Sequence, residues 1–457
     1  MIDGRFLRRH LIFPDVAAGV VWYSTDTPAW ALAQALTSST EWNGLVPVER
    51  QEGEILENIG RMDSDMSAAD VIGQTRLADS LNTLLQEGVT SASGDESDPE
   101  APIIRMVNAV VKEAIDRRAS DIHFEPYDKN SVVRFRIDGV LMDVAHPARS
   151  LHAALISRIK VMSQLDIAEK RLPQDGRMTF TKSTSAVDLR VSTLPTGAGE
   201  RAVLRLLRKD SGLLSMSALG MSEEMLVKFR TLIRKPFGIL LVTGPTGSGK
   251  TTTLYAALNE IDAKSLNVMT VEDPIEFEIP GVSQTQVHPK IGLTFAHCLR
   301  SILRQDPDVI LIGEIRDVET ARIAIQASLT GHLVLATLHT NDSPSAVGRL
   351  LDMGVEPFLL ASSLLAVMSQ RLVRKLDPKQ PRLTYSGRTG IFELLLVTDA
   401  IRSAIKTHED ASSVRRIARQ EGFYSMVEDG QRLLDAGVTT LEELKRVTQD
   451  ESGDLDC

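Results

Sequence analysis

The sequence predicts a multidomain α/β protein on three observations. Short aliphatic runs, "GILLV" at 238, "NVMTV" at 267, "VILI" at 309 and "HLVLATL" at 332, alternate with segments suited to helices, the pattern of an open sheet covered on both faces. The first run leads directly into a glycine-rich turn, "GPTGSGKTT", that opens a helix. A chain of 457 residues, 43% of them hydrophobic, can bury several cores, and roughly three or four domains are expected.

Residues 1–87 read as a small, mostly helical domain with short strands and no catalytic constellation, which suits a docking module. Residues 88–102, "GVTSASGDESDPEAP", hold too few large apolar side chains to offset the entropy of ordering them and are read as a linker. Over 103–215, Ile104, Val107, Val111, Ala114 and Ile115 fall on one helical face, and alternating stretches such as "VVRFRIDGV" follow, which predicts a small α+β domain. Residues 216–375 hold the alternating strands and helices. Helical character dominates from about 345, so 376–457 is expected to be mainly helical except for "GIFELLLV" at 390.

No opening segment joins a basic start, a long apolar run and a small-residue cleavage site. No apolar stretch approaches the roughly 20 residues of a membrane span, and a cytoplasmic protein is expected. Cys298 and Cys457 make neither a disulfide framework nor a metal cage and are read as inert thiols. A net charge of −10 disfavours a non-specific nucleic-acid surface, so no nucleic acid is expected as a partner.

Gly244, Gly249, Lys250 and Thr251 satisfy the eight-residue phosphate-loop pattern, with Gly247 a further flexible position. Glycines let backbone N–H groups turn inward around phosphate, Lys250 reaches the β and γ oxygens of ATP, and Thr251 offers its hydroxyl to Mg²⁺. Pro245, Thr246, Ser248 and Thr252 complete the nucleotide-binding stretch. "VEDPIEFE" then sets Glu272, Asp273, Glu276 and Glu278 by a strand end. An isolated acidic cluster is usually a solvated loop. Strand ends on the phosphate side of a parallel sheet converge on the ligand, which suits these carboxylates to the Mg²⁺ hydration shell or the attacking water. The run "VILI" ends at Gly313 and Glu314, a glutamate where phosphate-loop enzymes usually place an aspartate.

With their flanks, these motifs fall into nine ordered blocks: "RASDIHFEP", "RFRIDGVL", "LDIAEKRLPQDGR", "RVSTLPTGAGERAVLRLL", "GPTGSGKTTTL", "VEDPIEFE", "LRSILRQDPDVILIGEIRD", "TGHLVLATLHTND" and "SQRLVRKL". The chain from about 100 to 457 thereby resembles the secretion-superfamily ATPases of type II secretion and type IV pilus assembly. The resemblance implies a PAS-like domain joined flexibly to a RecA-like ATPase domain, with nucleotide between the lobes. It further implies a homo-hexamer on the cytoplasmic side of the inner membrane. It gives Glu276 a catalytic role, has Glu314 position Mg²⁺ and water, and matches its histidine box to His332 and His339. Arg177 and Arg190 in the first lobe, and Arg300, Arg304, Arg316 and Arg349 in the second, would point at nucleotide or at the neighbouring subunit.

A guanidinium delivered to the γ-phosphate in the transition state is worth roughly 10³ to 10⁵ in rate, so closure of the lobe carrying Arg177 and Arg190 would couple hydrolysis to motion. Histidine in an apolar strand is more often a hydrogen-bonded core residue than a catalyst. For His339, at its strand end, a γ-phosphate sensor is expected, and His123 is expected to be structural.

Where most such ATPases follow "QRLVR" with a four-cysteine zinc module, this chain has "KLDPKQPRLTYSGRTGIFELL". Asp377 and Lys379 stand where thiolates would, so no zinc is expected. The opening "GRFLRRHLIFPD" resembles that of type II secretion ATPases, whose N-terminal domain binds the cytoplasmic domain of an inner-membrane assembly protein. Pseudopilus assembly through an inner-membrane platform protein is therefore the expected task, with type IV pilus assembly the alternative. A small-molecule kinase would not explain "GEIRD" or the arginines, and a DNA translocase would need a basic pore. A nucleotide-gated scaffold of slight turnover remains a third reading.

Overall fold

The computed structural model describes residues 101–182, 185–207, 214–377 and 385–448, with short stretches among the first 55. The linker up to residue 100, the predicted helices of the first 87 residues, Lys379 and Cys457 lie outside the described residues. The chain divides into two compact units, Met1–Leu206 and Leu207–Cys457.

In the first unit, β1 (Ile12–Asp15), β2 (Val20–Tyr23) and β3 (Val46–Glu49) form a small sheet, with β2 antiparallel to β1 and parallel to β3. Helix α1 (Ala101–Asp116) follows, burying Met106, Val107, Val110, Val111 and Ala114. Strands β4 (Asp121–Pro126), β5 (Ser131–Ile137) and β6 (Val140–Ala145), helix α2 (His152–Met162), and strands β7 (Gln174–Lys182), β8 (Ser185–Thr196) and β9 (Gly199–Leu207) complete it. The sheet order is β6-β5-β4-β9-β8-β7. Ile122, Phe124, Val133, Phe135, Leu189, Val191, Ala202 and Leu204 form one core with α1 and α2. Strand alternation sends their neighbours to the opposite face.

The second unit contains α3 (Glu223–Leu232), β10 (Gly238–Thr243), α4 (Lys250–Glu260), β11 (Val268–Glu272), β12 (Ser283–Gln286), α5 (Phe295–Ile302), β13 (Val309–Ile312) and α6 (Val318–Leu329). It continues through β14 (Leu333–Leu338), α7 (Ser343–Asp352), α8 (Pro357–Ser363), β15 (Leu364–Leu376), β16 (Tyr385–Leu396), α9 (Asp399–Lys406), α10 (Ala411–Gln420), α11 (Met426–Asp435) and α12 (Leu441–Thr448). The seven strands run β12-β11-β13-β14-β10-β15-β16, parallel throughout except for antiparallel β16. Helices α3 and α4 cover one face, and α5 to α10 the other. Strands β10, β13 and β14 are buried along their whole length, which is why they read as continuous apolar runs.

Two strands depart from the sequence expectation. The region after 345 contains β15, "LLAVMSQRLVRKL", whose Leu, Met, Arg and Lys content favours helix in isolation but which is buried between β10 and β16. The polar edge strand β12, "SQTQ", has no apolar pattern and is recruited by parallel pairing with β11. Near the end of β16, the buried Glu393 carboxylate accepts from Ser343 N (2.6 Å), Ser343 Oγ (2.8 Å) and Met426 N (3.3 Å), so one side chain caps the starts of α7 and α11.

Candidate functional site

The turn between β10 and α4 is shaped by backbone that only glycine adopts easily. Gly244 and Gly249 sit at φ +141° and +90°, and Gly249 caps α4. A Cβ on Gly244 would lie 2.4 Å from Gln370 O, and one on Gly249 would lie 2.7 Å from Gln370 Nε2. Gln370, on β15, thus backs the loop, and its Oε1 accepts from Thr253 Oγ1 at 2.7 Å. Pro245, Thr246 and Gly247 form an exposed crest, with Thr251 and Thr252 exposed at the start of the helix.

Lys250 is buried and folds back on the loop, donating to Gly244 O (2.8 Å) and Pro245 O (3.0 Å). Burial pulls its amine down to about 8, against the opposing charge of Glu314. The buried Ser248 Oγ has no hydrogen-bond partner. A cradle that Cβ atoms would fill, an unsatisfied buried hydroxyl and a lysine satisfied only by its own loop fit a bound polyphosphate. Thr251 and Glu314 would hold Mg²⁺ there, and the ion would neutralise charge on the β and γ oxygens.

Glu314, just past β13, lies 2.5 Å from Arg316 Nη2 and 3.5 Å from His339 Nε2. His339 follows β14, so the ends of β10, β13 and β14 bring Lys250, Glu314, Arg316 and His339 into one electrostatic cluster. Burial first, then the Lys250 charge, holds His339 below its ordinary value while Glu314 opposes, leaving a neutral ring at pH 7. His332 lies at the other end of β14, with Nδ1 2.8 Å from Ala327 O.

The acidic stretch divides. Glu272 turns inward: it is 3% exposed and its carboxylate accepts from Tyr255, Thr270 and Gln284. Asp273, Glu276 and Glu278 are exposed, and Asp273 contributes to the field at Arg316. Arg300 pairs with Glu319, and Arg304 donates to Arg300 O and Ser301 Oγ, partners away from the loop. Arg349 is exposed on α7. Gln370, Tyr255 and Gln284 were not among the expected site residues; Gln370 lies in "SQRLVRKL" and Tyr255 just after "GPTGSGKTTTL", Gln284 lies outside the motif blocks, and none carries a charge or spacing signal.

In the first unit, Arg177 and Arg190 are cross-strand partners on β7 and β8, on the sheet face turned away from α1 and α2. The same face holds Arg134, Arg136, Arg201 and Arg205 around Asp121 and Glu125. His123 is buried among them, with Nδ1 3.1 Å from Arg201 Nη2.

A family model described as "Type II/IV secretion system protein" matches residues 96–446. The chain is 50% identical over 459 aligned positions to the type II secretion system protein HxcR of Pseudomonas aeruginosa, covering 97% of each chain. It is 52% identical over 400 positions to the type II secretion system protein E of Dickeya dadantii, covering 81% of this chain and 80% of that one. Among solved structures it is similar to the pilus retraction motor PilT with bound ADP, at a TM-score of 0.54 and 28% identity over 76% of this chain and 98% of that one.

Proposed function

This chain belongs to the type II/IV secretion system protein family and hydrolyses ATP, and from that premise we propose that it is the motor of a type II secretion system. The convergence of Lys250, Glu314, Arg316 and His339 at the ends of three strands carries the reading. In it, residues 244–252 bind ATP, Thr251 and Glu314 hold Mg²⁺, Glu276 activates the attacking water and His339 senses the γ-phosphate.

Six such subunits form a ring at the cytoplasmic face of the inner membrane. Arg177 and Arg190 reach nucleotide when the lobes close, and Arg300, Arg304 and Arg349 serve nucleotide or the neighbouring subunit. Residues 1–87 dock on the cytoplasmic domain of an inner-membrane assembly protein, and a platform protein passes the stroke to the pseudopilus. The names of the two relatives support secretion as the task. The likeness to a pilus retraction motor supports type IV pilus work as the second reading. Among the described residues, no helix is long and apolar enough to cross a membrane.

Deleting the coding sequence and complementing with wild type or Lys250→Ala separates the two. Loss of exported proteins from the medium with pili intact, restored by the wild type alone, is the expected result. Loss of pili with an unchanged medium would replace secretion with pilus assembly.

A further inference from the structure

Buried Glu272 and Tyr255, with half-buried Gln284, form a polar group that the nucleotide chemistry above does not use. Tyr255 lies on α4, 1% exposed, and its hydroxyl donates to Glu272 while standing 3.4 Å from Glu276 N, the donor of the second bond. Thr270 Oγ1 (2.5 Å) and Gln284 Nε2 (3.1 Å) complete the shell of the carboxylate. Gln284 also accepts from Ile279 N (2.7 Å) and donates to Phe277 O (3.2 Å). The Tyr255 ring meets Phe277 edge to face, centroids 4.6 Å apart at 82°. The backbone around Glu276 is therefore gripped at residues 276, 277 and 279 by groups that all lead back to Glu272.

Charge and burial decide what such a group can be. A carboxylate this deeply buried is tolerated only when its oxygens are hydrogen-bonded. Three side-chain donors hold it, Thr270 and Gln284 on Oε1 and Tyr255 on Oε2, so both oxygens are engaged within the fold. Burial, then the bond to Glu272, pushes the Tyr255 phenol far above its ordinary range, so it remains a donor at every working pH. A buried network in which both carboxylate oxygens are bonded rigidifies its surroundings. What it rigidifies is the exposed loop presenting Glu276, and the anchor is the helix that begins at the phosphate loop.

We propose that Tyr255, Glu272 and Gln284 are positioning residues that fix the Glu276 carboxylate relative to the phosphate loop. The inference rests on the reading of Glu276 as the catalytic glutamate. Because Tyr255 rides on α4, a shift of that helix moves the Glu276 backbone with it.

Tyr255→Phe keeps the ring against Phe277 and removes only the hydroxyl. In the full-length assembled protein with ATP, kcat is expected to fall about 10- to 100-fold, as for a reacting group misplaced by an ångström, with KM for ATP nearly unchanged. In a Glu276→Gln background the same change should cost nothing further, because the residue it positions is already disabled. Gln284→Leu, on the half-exposed edge strand, should repeat the kcat loss if Tyr255→Phe folds poorly. Wild-type kcat in both single variants, or a full additional loss on top of Glu276→Gln, would overturn the positioning role. Wild-type turnover in Glu276→Gln alone would instead overturn the assignment of Glu276 on which it rests.

Discussion

Arg177 and Arg190 stand directly opposite one another on β7 and β8, both exposed on the same face. Like charges in a cross-strand pair oppose folding. Nothing in the first unit's core needs them there, and an anion brought to that face would relieve the repulsion. Arg177→Ala should leave the melting temperature unchanged or raise it by about a degree or two, while lowering ATP turnover by about 10³-fold. Turnover that stays at the wild-type level would remove Arg177 from the chemistry.

Lys250 predicts a proton signature. With its amine held at about 8 by burial, against an ordinary 10.5, the unfolded chain binds more protons between those values. The nucleotide-free fold therefore gains stability from this group as pH rises through that window. Bound polyphosphate restores the charge, so ATP binding at pH 8.5 should take up about half a proton or more, and almost none at pH 7. Calorimetry in two buffers of different ionisation enthalpy reads this directly. Uptake at pH 8.5 that persists in Lys250→Met would trace the proton to another group.

Gly249→Ala tests the shape of the cradle. The added methyl meets Gln370 Nε2 at 2.7 Å from a left-handed backbone, so both strain and contact act against it. ATP affinity should drop by about tenfold or more while the unfolding midpoint of the apo protein moves by a few degrees. Pairing it with Gln370→Ala, which removes the contact but not the strain, should recover only part of the affinity; full recovery would show that backbone strain contributes nothing.

Acid should weaken the attachment of α12 to β15. Glu443 is fully buried, and although burial opposes it, its bonds from Arg446 and Arg374 hold the carboxyl at about 2, down from 4.5. A lowered folded value means stability present above 4.5 and lost as pH falls towards 2. Glu443→Gln should cost about 2 to 4 kcal/mol at pH 7 and flatten the acid limb of the stability curve. An unchanged acid limb would assign the titration elsewhere.

The parts of the fold legible in sequence were those where one physical signal dominated. Strands β10, β13 and β14 are buried on both faces and read as apolar runs, and the glycines of 244–249 mark backbone that other residues resist. Strand β15 was obscured because its residues favour helix, and only pairing with β10 and β16 settles it as a strand. Within "VEDPIEFE" charge alone could not separate Glu272 from Glu276. Alternation along β11 puts Thr270 and Glu272 on the side of α4, and that distinction depends on strand geometry. Tyr255, Gln284 and Gln370 are neutral, and their importance lies in contacts 17, 12 and 117 residues away along the chain.

Glu393 has a bearing on how this ATPase can be recombined. Its carboxylate is shared by the first turns of α7 and α11, so a helix that follows the His339 loop and a helix near the C-terminus have one common anchor. A chimera joined at residue 376, between β15 and β16, would take that anchor from one parent and Ser343 from the other, and would inherit any mismatch as an unsatisfied buried carboxyl group. A junction after Leu396 leaves Glu393 with Ser343 and exposes only the Met426 bond to the exchange. The C-terminal helices are thus portable between related ATPases only when β16 stays behind with the sheet.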